Sequence, residues 1–176
     1  MIPEEITIRR CTPADAGMLS ALAQRTFYDT FTGTCTEADM QHFLQHYYNI
    51  DTITRELEDT TQPVFFALQG ATPVGYIRFG QNEVPFPHDP ALNPLELNRL
   101  YIETSFHKQG VAQMLMQVYF DYAAAHSSRL LWLGVWEFNY RAQRFYTKFG
   151  FVPNGHTHPF PIGDTPQTDQ WWEKVI

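Results

Sequence analysis

The stretch ETSFHKQGVAQMLMQVYF, residues 103 to 120, joins a polar run to an amphipathic helix through a single glycine, Gly110. The first turn of an α-helix leaves backbone N–H groups unpaired, and the helix dipole adds partial positive charge there. Gly110 and Ala112 are small, so their side chains leave that backbone open to a ligand. The stretch therefore indicates either an ordinary turn into a helix or a binding site for an anion such as a pyrophosphate.

Length and composition favour a single globular unit. The chain has 176 residues, enough for a hydrophobic core, and we expect one domain over residues 1–176. Its residues are 44% hydrophobic and 15% aromatic, too rich for a disordered segment. No run approaches the roughly 18 apolar residues that span a bilayer, so we expect no membrane partner. The start, MIPEEITIRR, is acidic and then strand-like, which is not the pattern of a signal peptide.

Charge and cysteine content narrow the classes of partner. The net charge is −7, from 12 basic and 19 acidic residues, which argues against nucleic acid because a nucleic-acid backbone requires a basic patch. The same charge is compatible with a cationic small substrate. Cys11 and Cys35 lie far apart and outside any metal-ligand spacing, which suits a reducing, cytoplasmic location. Cys35 lacks the local base signature of a nucleophile.

Hydrophobic periodicity predicts the secondary structure. Alternation at period two and short apolar runs predict strands at residues 5–10, 63–70, 73–80, 95–103, 129–136, 151–156 and 168–176. Helical spacing and capping residues predict helices at residues 12–31, 36–48, 51–59, 108–126 and 139–150. NEVPFPHDPALNP, residues 82–94, carries four prolines and is expected to be a surface loop. We therefore expect an α/β (α+β) domain with helices on a mixed sheet.

Two motifs resemble those of the GCN5-related N-acetyltransferase (GNAT) superfamily. The run His107-Lys108-Gln109-Gly110-Val111-Ala112 resembles the Q/R-x-x-G-x-G/A motif, with His107 where the family normally has glutamine or arginine. NYRAQRFYTKFGF, residues 139–151, is similar to the signature N-x-x-A-x-x-F-Y-x-x-x-G-F. The order of elements also matches over nearly the whole chain. This resemblance implies a single GNAT-like domain with a mixed, mostly antiparallel central sheet flanked by helices.

Four further segments are similar to one branch of that superfamily. TFYDTF, LYIETSFHKQG, LWLGVWEFN and GDTPQTD resemble parts of the bacterial Pai-type polyamine acetyltransferases. The resemblance implies acetyl-CoA as co-substrate, no metal, and direct transfer to a small-molecule amine such as a polyamine. Two alternatives stay open, a non-catalytic CoA-binding sensor module and an acetyltransferase acting on a protein N-terminus or lysine. A homodimer is also left open.

The resemblance assigns a set of residues to the coenzyme. Residues 107–112 would bind the pyrophosphate, with His107 either donating a hydrogen bond or lying as a solvated loop histidine. Backbone groups of Leu100, Tyr101 and Ile102 would pair with pantetheine, because the family splays this strand from the next. Asn139 would reach the pantetheine arm or simply cap a helix. Tyr146 would contact the coenzyme and protonate the leaving thiolate, or else be a packed helix tyrosine.

The acceptor site is expected at the end of the first helix. Phe27, Tyr28 and Asp29, with Phe31, would place aromatic rings and a carboxylate around an ammonium ion, although a hydrophobic helix end with a surface aspartate has the same pattern. Glu103 and Glu137 flank the expected cleft and are also assigned to substrate binding.

The general base and a metal site are the remaining questions. The base is open among Glu103, Glu137 and Glu96, although a glutamate in such a position is more often a strand-end or solvated carboxylate. His156 and His158 lie two apart without a carboxylate or cysteine ligand set, so a loop is expected there and no metal site.

Overall fold

Seven strands form one sheet in the computed structural model, which describes residues 5–176. The strands are Ile6–Arg10 (β1), Val64–Gln69 (β2), Thr72–Gly80 (β3), Leu95–Ile102 (β4), Leu130–Trp136 (β5), Val152–Pro159 (β6) and Thr168–Val175 (β7). Their order is β1-β2-β3-β4-β5-β7-β6, and every neighbouring pair is antiparallel except β4 and β5. The mixed, mostly antiparallel sheet is therefore confirmed. The expectation about the chain start lies, for residues 1–4, outside the described residues.

Five helices accompany the sheet within the described residues. They are Ala16–Phe31 (α1), Glu37–Tyr47 (α2), Ile50–Glu58 (α3), Val111–Ala125 (α4) and Tyr140–Lys148 (α5). Short polar side chains cap α2 and α3: Thr36 accepts a hydrogen bond from the Asp39 N–H, and Asn49 accepts one from the Thr52 N–H. Because Asn49 is the cap, α3 begins at Ile50, one residue before the predicted start.

The helices cover both faces of the sheet. On one face α1, α2 and α3 bury a cluster that includes Phe27, Ile53 and Tyr76. On the other face α4 packs Leu115 and Tyr119 onto the strands. The chain runs from the end of β4 at Ile102 through residues 103–110 into α4, so the start of α4 lies close to the end of β4.

Two segments differ from the sequence-based expectation. The proline-rich loop at residues 82–94 is not wholly on the surface, because Phe86 is 5% exposed and its ring contacts those of Trp132 and Trp171. Strand β6 continues to Pro159, so His158 lies on a strand and the expected loop is wrong at that position. In both places aromatic packing orders a segment that the prolines mark as irregular.

The two cysteines are unpaired. Cys11 is buried and Cys35 is half-buried. Burial raises the pKa of Cys11 to about 12, so this thiol stays protonated at neutral pH. None of the helices within residues 5–176 has the length and apolarity that crossing a bilayer requires.

Candidate active site

The parallel strands β4 and β5 separate soon after they begin. They pair only at Leu95 with Leu131 and at Glu96 with Trp132. A β-bulge follows in β4. Arg78 and Phe79 are consecutive in β3, but they pair with Arg99 and Leu97, so residue 98 of β4 has no partner in β3. A bulge bends its strand, and here β4 leaves β5 beyond that point. The splay that the resemblance implied is present, and the β5-facing edge of residues 97–102 lies outside the pairing with β5.

A cleft of about 460 Å³ opens between the freed end of β4, the start of α4 and helix α5. Nine of the eleven residues assigned to the coenzyme line this cleft: Leu100, Tyr101, Ile102, His107, Lys108, Gly110, Ala112, Asn139 and Tyr146. The other two do not line it. Val111 is buried in the core, and the Gln109 side chain donates to the Ser105 carbonyl at 2.7 Å.

The first turn of α4 faces open space. Gly110 has φ +82°, a left-handed conformation that glycine adopts without strain, and a Cβ added there would meet no atom within 4 Å. The first helical hydrogen bond runs from the Met114 N–H to the Gly110 carbonyl at 3.1 Å. The N–H groups of residues 111–113 therefore precede the helical ladder. Such a turn can accept an anion through its backbone.

The cleft is positively charged although the protein is acidic. Lys108, Arg141, Arg144 and Lys148 line it, and no lining residue is a carboxylate. The last three were not predicted as site residues. Their spacing of three and four places them on one face of α5, which is the signal in the sequence that would have identified them. This arrangement suits a ligand with several negative charges.

His107 makes two hydrogen bonds within the fold. Its Nε2 lies 3.0 Å from the Ile102 carbonyl, and its Nδ1 lies 2.8 Å from Nη1 of Arg141. Nε2 must therefore donate and Nδ1 must accept, which requires a neutral ring. Burial lowers the pKa of His107, and the Arg141 guanidinium lowers it further. His107 thus holds Arg141 at the cleft and is not a solvated loop histidine.

Asn139 and Tyr146 line the cleft from α5. The Asn139 side chain caps α5 by accepting from the Ala142 N–H at 3.1 Å. The Tyr146 side chain packs against Phe145 and Phe151. Burial raises the pKa of Tyr146, so its phenol is protonated at neutral pH. A protonated phenol at the edge of a cleft can act as a proton donor.

The segment TFYDTF, residues 26–31, is expected to bind the acceptor, but of its residues only Thr30 lines this cleft. Phe27 is fully buried and stacks on Phe43 with ring centroids 4.5 Å apart. Its ring therefore belongs to the core, and the expectation of direct contact between Phe27 and an ammonium ion does not fit this structure. Tyr28 donates to Glu37 at 3.2 Å, and Asp29 accepts from Thr104 at 3.2 Å.

The three candidate bases have different environments. Glu103 is paired with Arg25, whose Nη2 lies 2.7 Å from its Oε1, so its carboxylate is already engaged in an ion pair. Glu137 follows β5 and is half-buried. Glu96 accepts a hydrogen bond from Asn82, and burial raises its pKa. A carboxylate with a raised pKa is the better proton acceptor.

Comparisons with known proteins agree with this architecture. A family model described as the acetyltransferase (GNAT) family matches residues 23–151. An uncharacterised N-acetyltransferase of Lactobacillus delbrueckii subsp. lactis is 30% identical over 175 residues, covering 97% of this chain and 98% of the relative. Another from Mycobacterium bovis is 31% identical over 158 residues, covering 88% and 94%. The crystal structure of a PaiA N-acetyltransferase from Thermoplasma acidophilum in complex with coenzyme A shares the fold, with TM-score 0.79, 19% identity and coverage of 98% and 99%.

Proposed function

The chain belongs to the GNAT family of acetyltransferases, and on that basis we propose that it acetylates a primary amine of a small cationic acceptor, such as a polyamine. It is an N-acetyltransferase, and acetyl-CoA is its co-substrate. Residues 1–176 act together as one catalytic domain. The similarity to a PaiA protein and the net charge of −7 support a polyamine as the first acceptor to test.

The observation that carries this proposal is the composition of the cleft. Backbone N–H groups at the start of α4 and cations on α5 suit the phosphates of the coenzyme. The free edge of β4 at residues 100–102 can hydrogen-bond the pantetheine amides. Tyr146 lies in the same cleft, where a protonated phenol suits a leaving thiolate.

The chemistry requires one proton acceptor and one proton donor. An alkylammonium has a pKa near 10.4, so it must lose a proton before its nitrogen can attack the thioester carbon. Glu96 accepts that proton, directly or through water. The new C–N bond forms, the C–S bond breaks, and Tyr146 donates its proton to the departing sulfur. The attacking nitrogen releases its second proton, through water, to the Tyr146 phenolate, which restores the phenol and leaves a neutral amide. Backbone N–H groups of β4 stabilise the oxyanion that develops on the carbonyl oxygen.

A panel of acceptors tests the proposal. Thiol release from acetyl-CoA should be followed with spermidine, spermine, putrescine, butylamine and a peptide that has a free N-terminus and a lysine. Mass spectrometry then identifies the acetylated product. We expect turnover on small amines and little on the peptide. Preferred acetylation of the peptide would replace the proposed acceptor, and coenzyme binding in calorimetry without any acetylated product would indicate a sensor module.

We also propose a cytoplasmic location. Both cysteines are free thiols, as expected in a reducing compartment, and the co-substrate is an intracellular metabolite in this proposal. Fractionation of cells that produce the tagged protein should place it with cytoplasmic markers. Recovery in a secreted fraction would contradict this.

A further inference from the structure

Three side chains converge over Gly134 on the face of β5 opposite Tyr146. Asp169 and Trp171 of β7 pair across the sheet with Trp136 and Gly134, and His158 of β6 pairs with Asp169. A Cβ added at Gly134 would lie 3.0 Å from Trp171, 3.2 Å from His158 and 3.3 Å from Asp169. Glycine in a strand marks a close approach by other groups, and here it leaves room for these three.

Two polar atoms of this cluster are buried without a partner. Oδ1 of Asp169 and Nδ1 of His158 make no hydrogen bond within residues 5–176. The His158 Nε2 lies 3.8 Å from Asp169 Oδ2, which is too long for a hydrogen bond. The Asp169 side chain is only 13% exposed. Buried polar atoms in native proteins normally have partners, so an unpaired carboxylate oxygen indicates a site for a donor from outside the chain.

The surroundings of Asp169 favour a cation as that donor. The His158 ring stacks on Trp171 at 3.8 Å, and Trp171 contacts Trp132 at 5.3 Å. No lysine or arginine of the described chain forms an ion pair with Asp169. A carboxylate among indole rings provides both ion pairing and cation–π attraction for an ammonium group.

The gap between β4 and β5 lies beside this cluster. The last pair of the two strands is Glu96 with Trp132, and Gly134 lies two residues farther along β5. Leu131 and Leu133 of β5 face α4. Because side chains alternate along a strand, Trp132 and Gly134 face the opposite side of the sheet. Glu96 of β4 pairs with Trp132 and therefore faces that side as well. The proposed base and Asp169 therefore lie on the same side of the sheet, beside the gap.

We propose that Asp169, assisted by His158, binds a second ammonium group of the acceptor, one that is not acetylated. This inference rests on the proposed function and adds a selection rule to it. In this arrangement the ammonium held at Asp169 is not the reacting nitrogen, which lies near Glu96. The enzyme therefore prefers acceptors with two or more cationic nitrogens.

The test compares putrescine with butylamine, which have the same carbon chain but differ in the second ammonium. We expect the unaltered enzyme to favour putrescine in kcat/KM by about tenfold or more, the range of one charge-assisted hydrogen bond. Asp169→Asn should remove most of that preference while kcat/KM for butylamine and the KM for acetyl-CoA stay within about twofold. Asp164→Asn, which removes an exposed carboxylate from the neighbouring turn, should keep the preference. His158→Gln is a second variant and should reduce the preference by a smaller factor.

Several outcomes would overturn the inference. Equal kcat/KM for the two amines in the unaltered enzyme would do so, and so would an equal loss for both amines in Asp169→Asn. If no amine releases thiol, the proposed function fails by itself. Calorimetry of putrescine binding to the CoA-saturated protein then decides the inference, because Asp169→Asn should weaken that binding about tenfold and an unchanged affinity would contradict it.

Discussion

The two sides of the gap between β4 and β5 are built in opposite ways. The coenzyme side consists of two continuous segments, residues 103–112 and 139–148, and presents backbone N–H groups and cations. The proposed acceptor side collects single residues from β4, β5, β6, β7 and the loop at 82–94. It holds the carboxylates of Glu96 and Asp169 together with the guanidinium groups of Arg78 and Arg99, which lie near Glu96. The cationic cleft matches a polyanionic reactant, and the Asp169 carboxylate, which has no ion pair with a lysine or arginine of the described residues, matches an ammonium group.

Tyr146 is the proposed proton donor to the leaving thiolate, and we expect the largest effect there. Tyr146→Phe removes one hydroxyl and keeps the ring, so packing against Phe145 and Phe151 should barely change. Turnover should fall about 10²-fold, the lower end of the range for lost general acid catalysis, because a thiolate leaves more readily than an alkoxide. The KM for acetyl-CoA should change much less. Unchanged kcat, with the chemical step limiting, would reduce Tyr146 to a packing residue.

Gly110 tests the coenzyme side alone. Gly110→Val places a branched side chain in the open space before α4 and should raise the KM for acetyl-CoA about tenfold or more, since phosphate–backbone hydrogen bonds are lost. Gly155→Val is the matched control, because Gly155 has φ +86° and equally open surroundings but lies on β6. Both variants carry the same backbone strain, and only Gly110→Val should affect acetyl-CoA. Similar KM values in both would show that the α4 turn does not hold the phosphates.

The contact between His107 and Arg141 gives a smaller effect on the same side. His107→Ala removes the acceptor that holds Arg141 at 2.8 Å, so the KM for acetyl-CoA should rise about two- to tenfold, the value of one hydrogen bond. His107→Gln keeps an acceptor and should restore most of the affinity. Identical KM values for the Ala and Gln variants would mean that Arg141 needs no positioning by residue 107.

The smallest effect is expected on the free energy of unfolding, through the carboxylate of Asp169 on the acceptor side. Burial raises the pKa of Asp169 from 3.8 to about 7. Between these values the folded protein holds a proton that the unfolded chain releases, so Asp169 contributes stability at low pH that is lost as pH rises toward 7. The free energy of unfolding of the unaltered protein, relative to Asp169→Asn, should therefore fall across this window by on the order of 1 kcal/mol or more. Denaturant titrations of both proteins at several pH values measure this.

The same contrast explains what the sequence could predict. The order of elements along the chain and the nine assigned residues that line the cleft follow from contiguous motifs, because a glycine before a helix and a tyrosine on a short helix need only local structure to be placed. Phe27 was assigned to the acceptor because aromatic residues at a helix end are typical of both a ligand wall and a core, and only the packing of α1 on Phe43 separates these. Asp169 was missed because its isolation depends on the register of three strands.

In the proposed reaction, acetyl-CoA and the amine occupy the two sides together, and the acetyl group passes directly between them. Initial rates measured while both substrates are varied test this most directly. We expect double-reciprocal lines that intersect, because both substrates are bound in one ternary complex. Parallel lines, together with an acetylated protein detected by mass spectrometry after incubation with acetyl-CoA alone, would show a covalent intermediate and contradict the claim.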